Sequence, residues 1–300
     1  MASIYTQIEN NKRETCLIVA LFIAVVAFIG YFLDVIYGDG GLFFTGWAFL
    51  IAGFSSFFSY YNSDKIVLAL SGAKEVDEVS GRDLHNLVEN MAIASGLPKP
   101  RVYYIEDTAM NAFATGRDPQ HGVICFTTGI LQRLEKRELE GVIAHEMSHI
   151  GNYDIRLMSI VSILVGSVTL IADFFTRGMF YGRGRKKESS DVHPLLLVAG
   201  IVLVILSPII ANLIKLAIGR KREFLADSTA AMITRYPAGL ASALRKLGSD
   251  KEILGAANGA TAHMYIVSPL MEGGKKGGWL SNLFSTHPSI EERIARLESM

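Results

Sequence analysis

Cysteine is scarce in this chain, with two among 300 residues. Cys16 opens an apolar block and Cys125 sits in the strand-like run VICFTT, neither with a CxxC partner, so a cysteine-based metal site is not expected. A disulfide between them would have to join a membrane segment to a soluble region. Both are expected to be free and reduced, which suits a cytosolic side. Net charge is also missing, because 29 Lys and Arg balance 29 Asp and Glu. No stretch combines basic residues with stacking aromatics, so no nucleic-acid partner is expected. Internal repeats are absent, and low complexity is confined to the linker GGKKGG at 273–278. The leading residues MASIYTQIENNKRETC do not end in a short apolar region with a cleavage site. The block that follows reads as a retained anchor.

What the chain does have is apolar residues in long unbroken runs. Half of its residues are hydrophobic, which favours a membrane protein with one soluble domain over two soluble domains. Blocks run from Cys16 to Leu33, from Gly41 to about Tyr60, from Leu157 to Ala172 and from Leu195 to Ile214. The first two approach the ~20 residues that cross a ~30 Å hydrocarbon core. Only YGDG connects them, so they form a hairpin. The third is short, and either spans or packs as a buried helix. Lys12 and Arg13 precede the first block, whereas its hairpin loop carries only Asp34 and Asp39. This bias puts the N-terminus, and after two crossings the segment from Ser63, in the cytoplasm. The connector holding Arg177, Arg183, Arg185, Lys186 and Lys187 breaks the pattern if blocks three and four both cross. The expected division is an N-terminal hairpin at 1–62, a first catalytic part at 63–156, a second apolar pair at 157–218 and a second catalytic part at 219–300.

Between the block pairs, SGRDLHNLVENMAIASGLPKP predicts a helix with Ser80 as N-cap, ended by Gly96 and Pro98. RVYYIED, MNAFATG and GVICFTTG predict three strands, the last two separated by the turn RDPQHG. LEKRELEGVIAHEMSHIGNYD predicts a helix and contains HEMSH at 145–149. On a helix, positions i and i+4 share a face, so His145 and His149 present two imidazole nitrogens to one point. That donor pair suits zinc. Glu146, one residue after the first histidine, suits a general base more than a further ligand. A chance match of so short a pattern is the competing explanation.

A third donor is needed, and REFLAD supplies Glu223 and Asp227, again at helical spacing. One carboxylate can bind the metal while the other hydrogen-bonds the far nitrogen of a ligand histidine. His149 precedes Leu157 by eight residues, and Glu223 follows Ile214 by nine. If the helices continue, both lie about 12–14 Å from the ends of their blocks. Equal depth would bring His145, His149 and Glu223 to one height just off the membrane. An ordinary solvated helix face with Lys221 and Arg222 is the alternative.

HEMSH followed by REFLAD, with MNAFATG, FTTGIL, THPSIEERI and two leading spans, resembles the HtpX-type membrane zinc metalloproteases. These are gluzincins related to the CAAX prenyl endopeptidases. The resemblance implies an α+β fold: a mainly helical integral membrane protein with a zincin-like cytosolic domain carrying a small β-sheet. It implies one Zn2+ per chain, held by His145, His149 and Glu223, with Glu146 as catalytic base and Asp227 orienting a ligand histidine, His145 being the expected one. It places the chain in the cell (inner) membrane, multi-pass, with its site facing the cytoplasm. The implied partners are the bilayer and unfolded membrane polypeptides. Asn111, Ala112, Phe113 and Ala114 would form an edge strand on which substrate pairs through its backbone, unless they form a plain core strand. His287, before a helix capped by Ser289 and Glu292, would stabilise the tetrahedral intermediate, unless Thr286, His287 and Pro288 only shape the helix entry. A CAAX-type prenyl protease is a second reading. A non-enzymatic scaffold with structural zinc is a third, and it would need a fourth protein ligand.

Overall fold

The computed structural model describes residues 4–37, 41–164, 166, 219–255, 261–267 and 288–300. His287, the fourth apolar block, the basic connector and the GGKKGG linker lie outside the described residues. Helix α1 (Ile4–Tyr37) and helix α2 (Phe43–Tyr61) form the leading hairpin. The stretches Ile8–Phe32 and Phe43–Tyr61 are long and apolar enough to cross a membrane. Their outward side chains, including Leu50, Phe54 and Phe57, are exposed, as lipid-facing residues should be. The helices meet closely at Gly30, where a Cβ would come within 2.7 Å of the Phe44 carbonyl oxygen. Asp34 closes the hairpin by accepting from the Phe44 and Thr45 amides at 2.9 and 2.8 Å and from the Thr45 hydroxyl at 2.6 Å. The start of α2 thus gains acceptors for backbone donors that a helix N-terminus leaves over.

After the short helix α3 (Ser63–Leu70) the chain builds a four-stranded mixed sheet in the order β1-β2-β4-β3. Strand β1 (Lys74–Glu75) pairs antiparallel with β2 (Arg101–Ile105), which runs parallel to β4 (Val123–Thr127). Strand β3 (Ala112–Thr115) pairs antiparallel with β4, Phe113 opposite Cys125. MNAFATG therefore forms an edge strand in the sheet order. It is also buried at every position, because other parts of the chain cover it. Helix α4 (Arg82–Ser95) ends at Gly96, which takes the left-handed conformation (φ 69°). Its N-cap is Gly81 and not Ser80, whose hydroxyl donates instead to Asp77 Oδ1 at 3.0 Å.

Helices α5 (Thr128–Arg133) and α6 (Lys136–Gly151) follow. The second begins with a reciprocal capping box between Glu135 and Glu138. Residues 154–164 are again helical, and Leu157 and Val161 are fully buried. The described half of the third apolar block is thus packed inside protein. Helices α7 (Arg220–Thr234), α8 (Pro237–Ser249) and α9 (Ile290–Glu298) complete the described fold. One core joins Val142, Ile143 and Met147 of α6 to Ala230 of α7, Leu244 of α8 and Leu297 of α9. Ser289 caps α9 by accepting from the Glu292 amide at 3.1 Å, while the Glu292 side chain turns to Arg296.

Helix α6 is seated against α8 at Gly141, where an added Cβ would sit 2.8 Å from the Leu240 nitrogen. Those neighbours are backbone and cannot swing aside. Gly141→Val is expected to lower stability by about 1–3 kcal/mol through overpacking, read as an earlier unfolding transition of the detergent-solubilised chain. An unchanged transition would show that the two helices are not in contact.

Candidate metal centre

Helix α6 carries its histidines on the face turned inward, and α7 crosses opposite. The rings of His145 and His149 stand nearly perpendicular, 87° apart, with centroids separated by 4.8 Å. Their Nε2 atoms approach to 3.2 Å. Glu223 faces both: one carboxylate oxygen lies 3.7 Å from His145 Nε2 and the other 3.6 Å from His149 Nε2. All three residues are buried, and one donor atom from each lies within 4.8 Å of the others.

The far nitrogen of each ring is held by its own carboxylate. Asp227, one turn after Glu223, places Oδ1 3.0 Å from His145 Nδ1. Asp154 places Oδ2 3.0 Å from His149 Nδ1. Sequence reasoning did not single out Asp154, which reaches back only because the chain reverses after α6. Tyr153 there takes a left-handed conformation, φ 62°. A non-glycine residue in that region is uncommon and marks a constrained turn. GNYD carried the signal, since a short polar run directly after an HExxH helix is where such a partner can return.

Arg293 of α9 was also missed, although it stands within the motif THPSIEERI. It is one of the largest fully buried side chains. Its Nε and Nη2 donate to the two Asp227 oxygens at 2.8 and 2.7 Å, a two-pronged pairing. Nη1 lies 3.4 Å from Glu223 Oε2 and donates to the Ile266 carbonyl at 3.1 Å. The arginine therefore ties the two carboxylates of α7 to the segment covering β3. From sequence it was indistinguishable from any other helix-surface arginine.

Burial dominates the electrostatics. It pushes the Glu146 carboxyl up to about 7, with the Glu223 charge adding to the rise and His149 and Arg293 opposing it. Burial, helped by Arg293, holds His145 below the usual imidazole range despite Asp227. Burial also works against a charged His149, but the hydrogen bond to Asp154 and the charges of Glu223, Asp154 and Glu146 outweigh it and raise that ring to about 9. Asp227 stays below the usual carboxylate range because Arg293 and His145 overcome its burial.

The donor set fits a cation. When Nδ1 donates to a carboxylate, the Nε2 of a neutral ring carries a lone pair. Two such lone pairs and a carboxylate then converge, and the Arg293 guanidinium lies 3.4 Å from His145 Nε2 and from Glu223 Oε2. That arrangement is repulsive alone and attractive around a divalent ion.

Asn111 does not face this cluster. Its side chain grips the backbone of Val267, donating from Nδ2 to the carbonyl at 2.9 Å. Ala112 gives its carbonyl to the Ile266 amide at 3.0 Å, and Phe113 packs edge-on against Tyr265. Ala114 is the member of NAFA whose backbone reaches Glu146. His263, buried, has Nε2 3.2 Å from the Met158 carbonyl, away from the cluster. Cys16 and Cys125 are both free.

Two measurements test the cluster. Replacing Asp154 by alanine frees His149 to turn, and divalent-cation affinity should fall by about 10–100-fold, measured by chelator competition. The His149 value of about 9 lies above its ordinary 6.5, so in the cation-free chain its stabilising contribution is complete below pH 6.5 and lost as pH rises through about 9. Cation binding needs that ring neutral, so affinity should increase with pH up to about 9. Near pH 7.5, binding should release about one proton, visible as calorimetric heats that change with buffer. Buffer-independent heats would refute this order.

Residues 78–300 match the family model for Peptidase family M48. A Protease HtpX homolog of Dictyoglomus thermophilum is 44% identical over 296 residues, covering 99% of this chain and 94% of the relative. One from Caldanaerobacter subterraneus subsp. tengcongensis is 44% identical over 303 residues, covering 99% and 98%. One from Streptococcus pneumoniae is 38% identical over 307 residues, covering 99% and 100%. The crystal structure of S. mikatae Ste24p aligns with a TM-score of 0.49 at 17% identity, over 95% of this chain and 66% of that one, too distant to carry an argument. With the family matched from residue 78 to the last residue and its HtpX relatives aligned along nearly the whole length, the chain belongs to peptidase family M48 and is a membrane metalloprotease.

Proposed function

We propose that the chain is a zinc endopeptidase that hydrolyses unfolded or damaged membrane proteins at the cytosolic surface of the cell membrane. The observation that carries this reading is the convergence of His145 Nε2, His149 Nε2 and Glu223 on one point, each imidazole fixed from behind by a carboxylate. Two nitrogens and one carboxylate suit zinc, and three protein donors leave a position for chemistry. Among the described residues no fourth ligand joins them, which argues against a purely structural ion. In this reading one zinc ion is held per chain by His145, His149 and Glu223, while Asp227 orients His145 and Asp154 orients His149.

When bound, zinc supplies acidification of a water molecule and polarisation of the scissile carbonyl. Glu146 takes the proton from the attacking water and passes it to the leaving amine. A base with a pKa near 7 is matched to that exchange at neutral pH. Ala114 borders Glu146, so an extended polypeptide would approach along the outer rim of β3. Backbone pairing gives affinity with little side-chain preference, which suits an enzyme for many unfolded chains. Lys12 and Arg13 before the first span support the cytosolic side, and the two apolar helices support a chain that crosses more than once.

Replacing Glu146 by glutamine should leave zinc content intact and reduce casein hydrolysis by about 10²–10⁴-fold. Full cleavage by that variant would remove Glu146 as the base. Preferential cleavage of a prenylated peptide over unfolded protein would redirect the substrate class to the CAAX type.

A further inference from the structure

The leading helix does more in this fold than pass through a bilayer. Asn11, near the start of the apolar stretch Ile8–Phe32, is 2% exposed, although an asparagine at the start of an anchor has no need of burial. Both of its polar atoms are engaged with the metal-centre segments. Nδ2 donates to Asp154 Oδ1 at 2.7 Å and to the Asn152 carbonyl at 2.8 Å. Oδ1 accepts from Arg222 at 2.7 and 3.1 Å. Asp154 is the carboxylate behind His149, and Arg222 immediately precedes Glu223.

Neighbouring residues of α1 lie beside the same contact. The Lys12 ammonium lies 4.4 Å from the centroid of the Tyr153 ring, over the left-handed turn itself. Glu14 pairs with Arg222, and Arg222 Nε lies 3.3 Å from Asp154 Oδ1. The buried Thr15 hydroxyl donates to the Asn11 carbonyl at 2.8 Å.

We propose that Asn11 is a positioning residue of the metal centre: by fixing Asp154 it fixes the ring of His149, so the first membrane helix sets how tightly the metal is held. The inference rests on the zinc reading above. Its physical basis is that Asp154 can orient His149 through Oδ2 only while Oδ1 is held, and Asn11 and Arg222 are what hold it. Outer hydrogen bonds of this kind determine the orientation and basicity of a ligand ring. The consequence is that insertion of α1 and completion of the metal centre are one event.

The test is zinc affinity of the full-length chain in detergent, by chelator competition, for Asn11→Leu, Asp154→Ala, the double variant and Lys12→Ala. Asn11→Leu keeps the bulk and removes the donor. It should weaken zinc binding by about 10-fold, and the double variant should bind no more weakly than Asp154→Ala alone, because both act through one ring. Lys12→Ala should stay within about twofold, since it contacts the turn without hydrogen-bonding Asp154. Wild-type affinity in Asn11→Leu, or losses that add in the double variant, would overturn the proposal. Absence of zinc from the unsubstituted chain would overturn the metal reading and this inference with it, so the two failures are distinguishable. If Asn11→Leu does not fold, Asn11→Asp carries the test. It retains the acceptor for Arg222 but loses the donor, and its added negative charge would by itself favour the cation. Weakened binding in that variant supports the proposal, and unchanged or tighter binding overturns it.

Discussion

Two carboxylate–imidazole contacts govern the rest of the centre. Asp227 behind His145 and Asp154 behind His149, each at 3.0 Å, decide which nitrogen of each ring carries the proton. When both rings are neutral and both Nδ1 atoms donate, both Nε2 lone pairs face inward, toward each other and toward Glu223. A protein interior does not tolerate such a set of acceptors without compensation. Arg293 compensates part of it, 3.4 Å from Glu223 Oε2 and from His145 Nε2, and a divalent cation would compensate the rest. Helix periodicity puts the rings on one face, but the aspartates turn that face into a ligand set.

Holding those aspartates requires further buried charge, and the two sides solve the problem differently. Asp227 is gripped through both oxygens by Arg293, a fully buried guanidinium whose remaining donors reach Glu223 and the Ile266 carbonyl. Arginine suits this place because its planar fork matches a carboxylate and stays charged when buried. Asp154 shares its outer oxygen between neutral Asn11 and Arg222. The Asp227 side thus presents a full positive charge close to its histidine, and the Asp154 side presents less. That asymmetry agrees with the opposite shifts of the rings, His145 downward and His149 up to about 9. Breaking either network by removing one partner would leave an uncompensated buried charge, the costly case for ion pairs.

Much of this was legible in the sequence, for reasons that differ by residue. His145, Glu146, His149, Glu223 and Asp227 lie on helices at i, i+1 and i+4 spacings, where local geometry alone fixes which side chains share a face. The three strands and the cap of α9 followed from β-branched runs and turn residues. Asp154 and Arg293 were not legible. One depends on a left-handed tyrosine that no propensity predicts, and the other on a helix 66 residues beyond its partner Asp227. Burial of β3 was hidden for a similar reason. Its covering segment, 261–267, has no strong periodicity and is identified only by the carbonyl and amide it satisfies. The third apolar block could be read either way from sequence, because a run packed inside protein, as 157–164 is, has the same composition as one facing lipid.

The covered edge of β3 bears on how the centre meets an extended chain. Strand addition needs outward-pointing backbone groups that nothing else occupies. At Ala112 the carbonyl already takes the Ile266 amide, and the Ala112 amide donates to Asn111 Oδ1 at 3.1 Å. Asn111 meanwhile holds Val267, and Arg293 holds Ile266. The chain thus supplies its own partner for the first half of the strand and anchors that partner to the same arginine that fixes Asp227. In the function proposed above, pairing by another polypeptide would fall to the second half, at Ala114, whose amide is hydrogen-bonded to Glu146 and would have to be shared or released. On that proposal, a short pairing stretch ending at Glu146 would favour register over length: it would fix where a backbone stops relative to that carboxyl and ask little of the sequence further along.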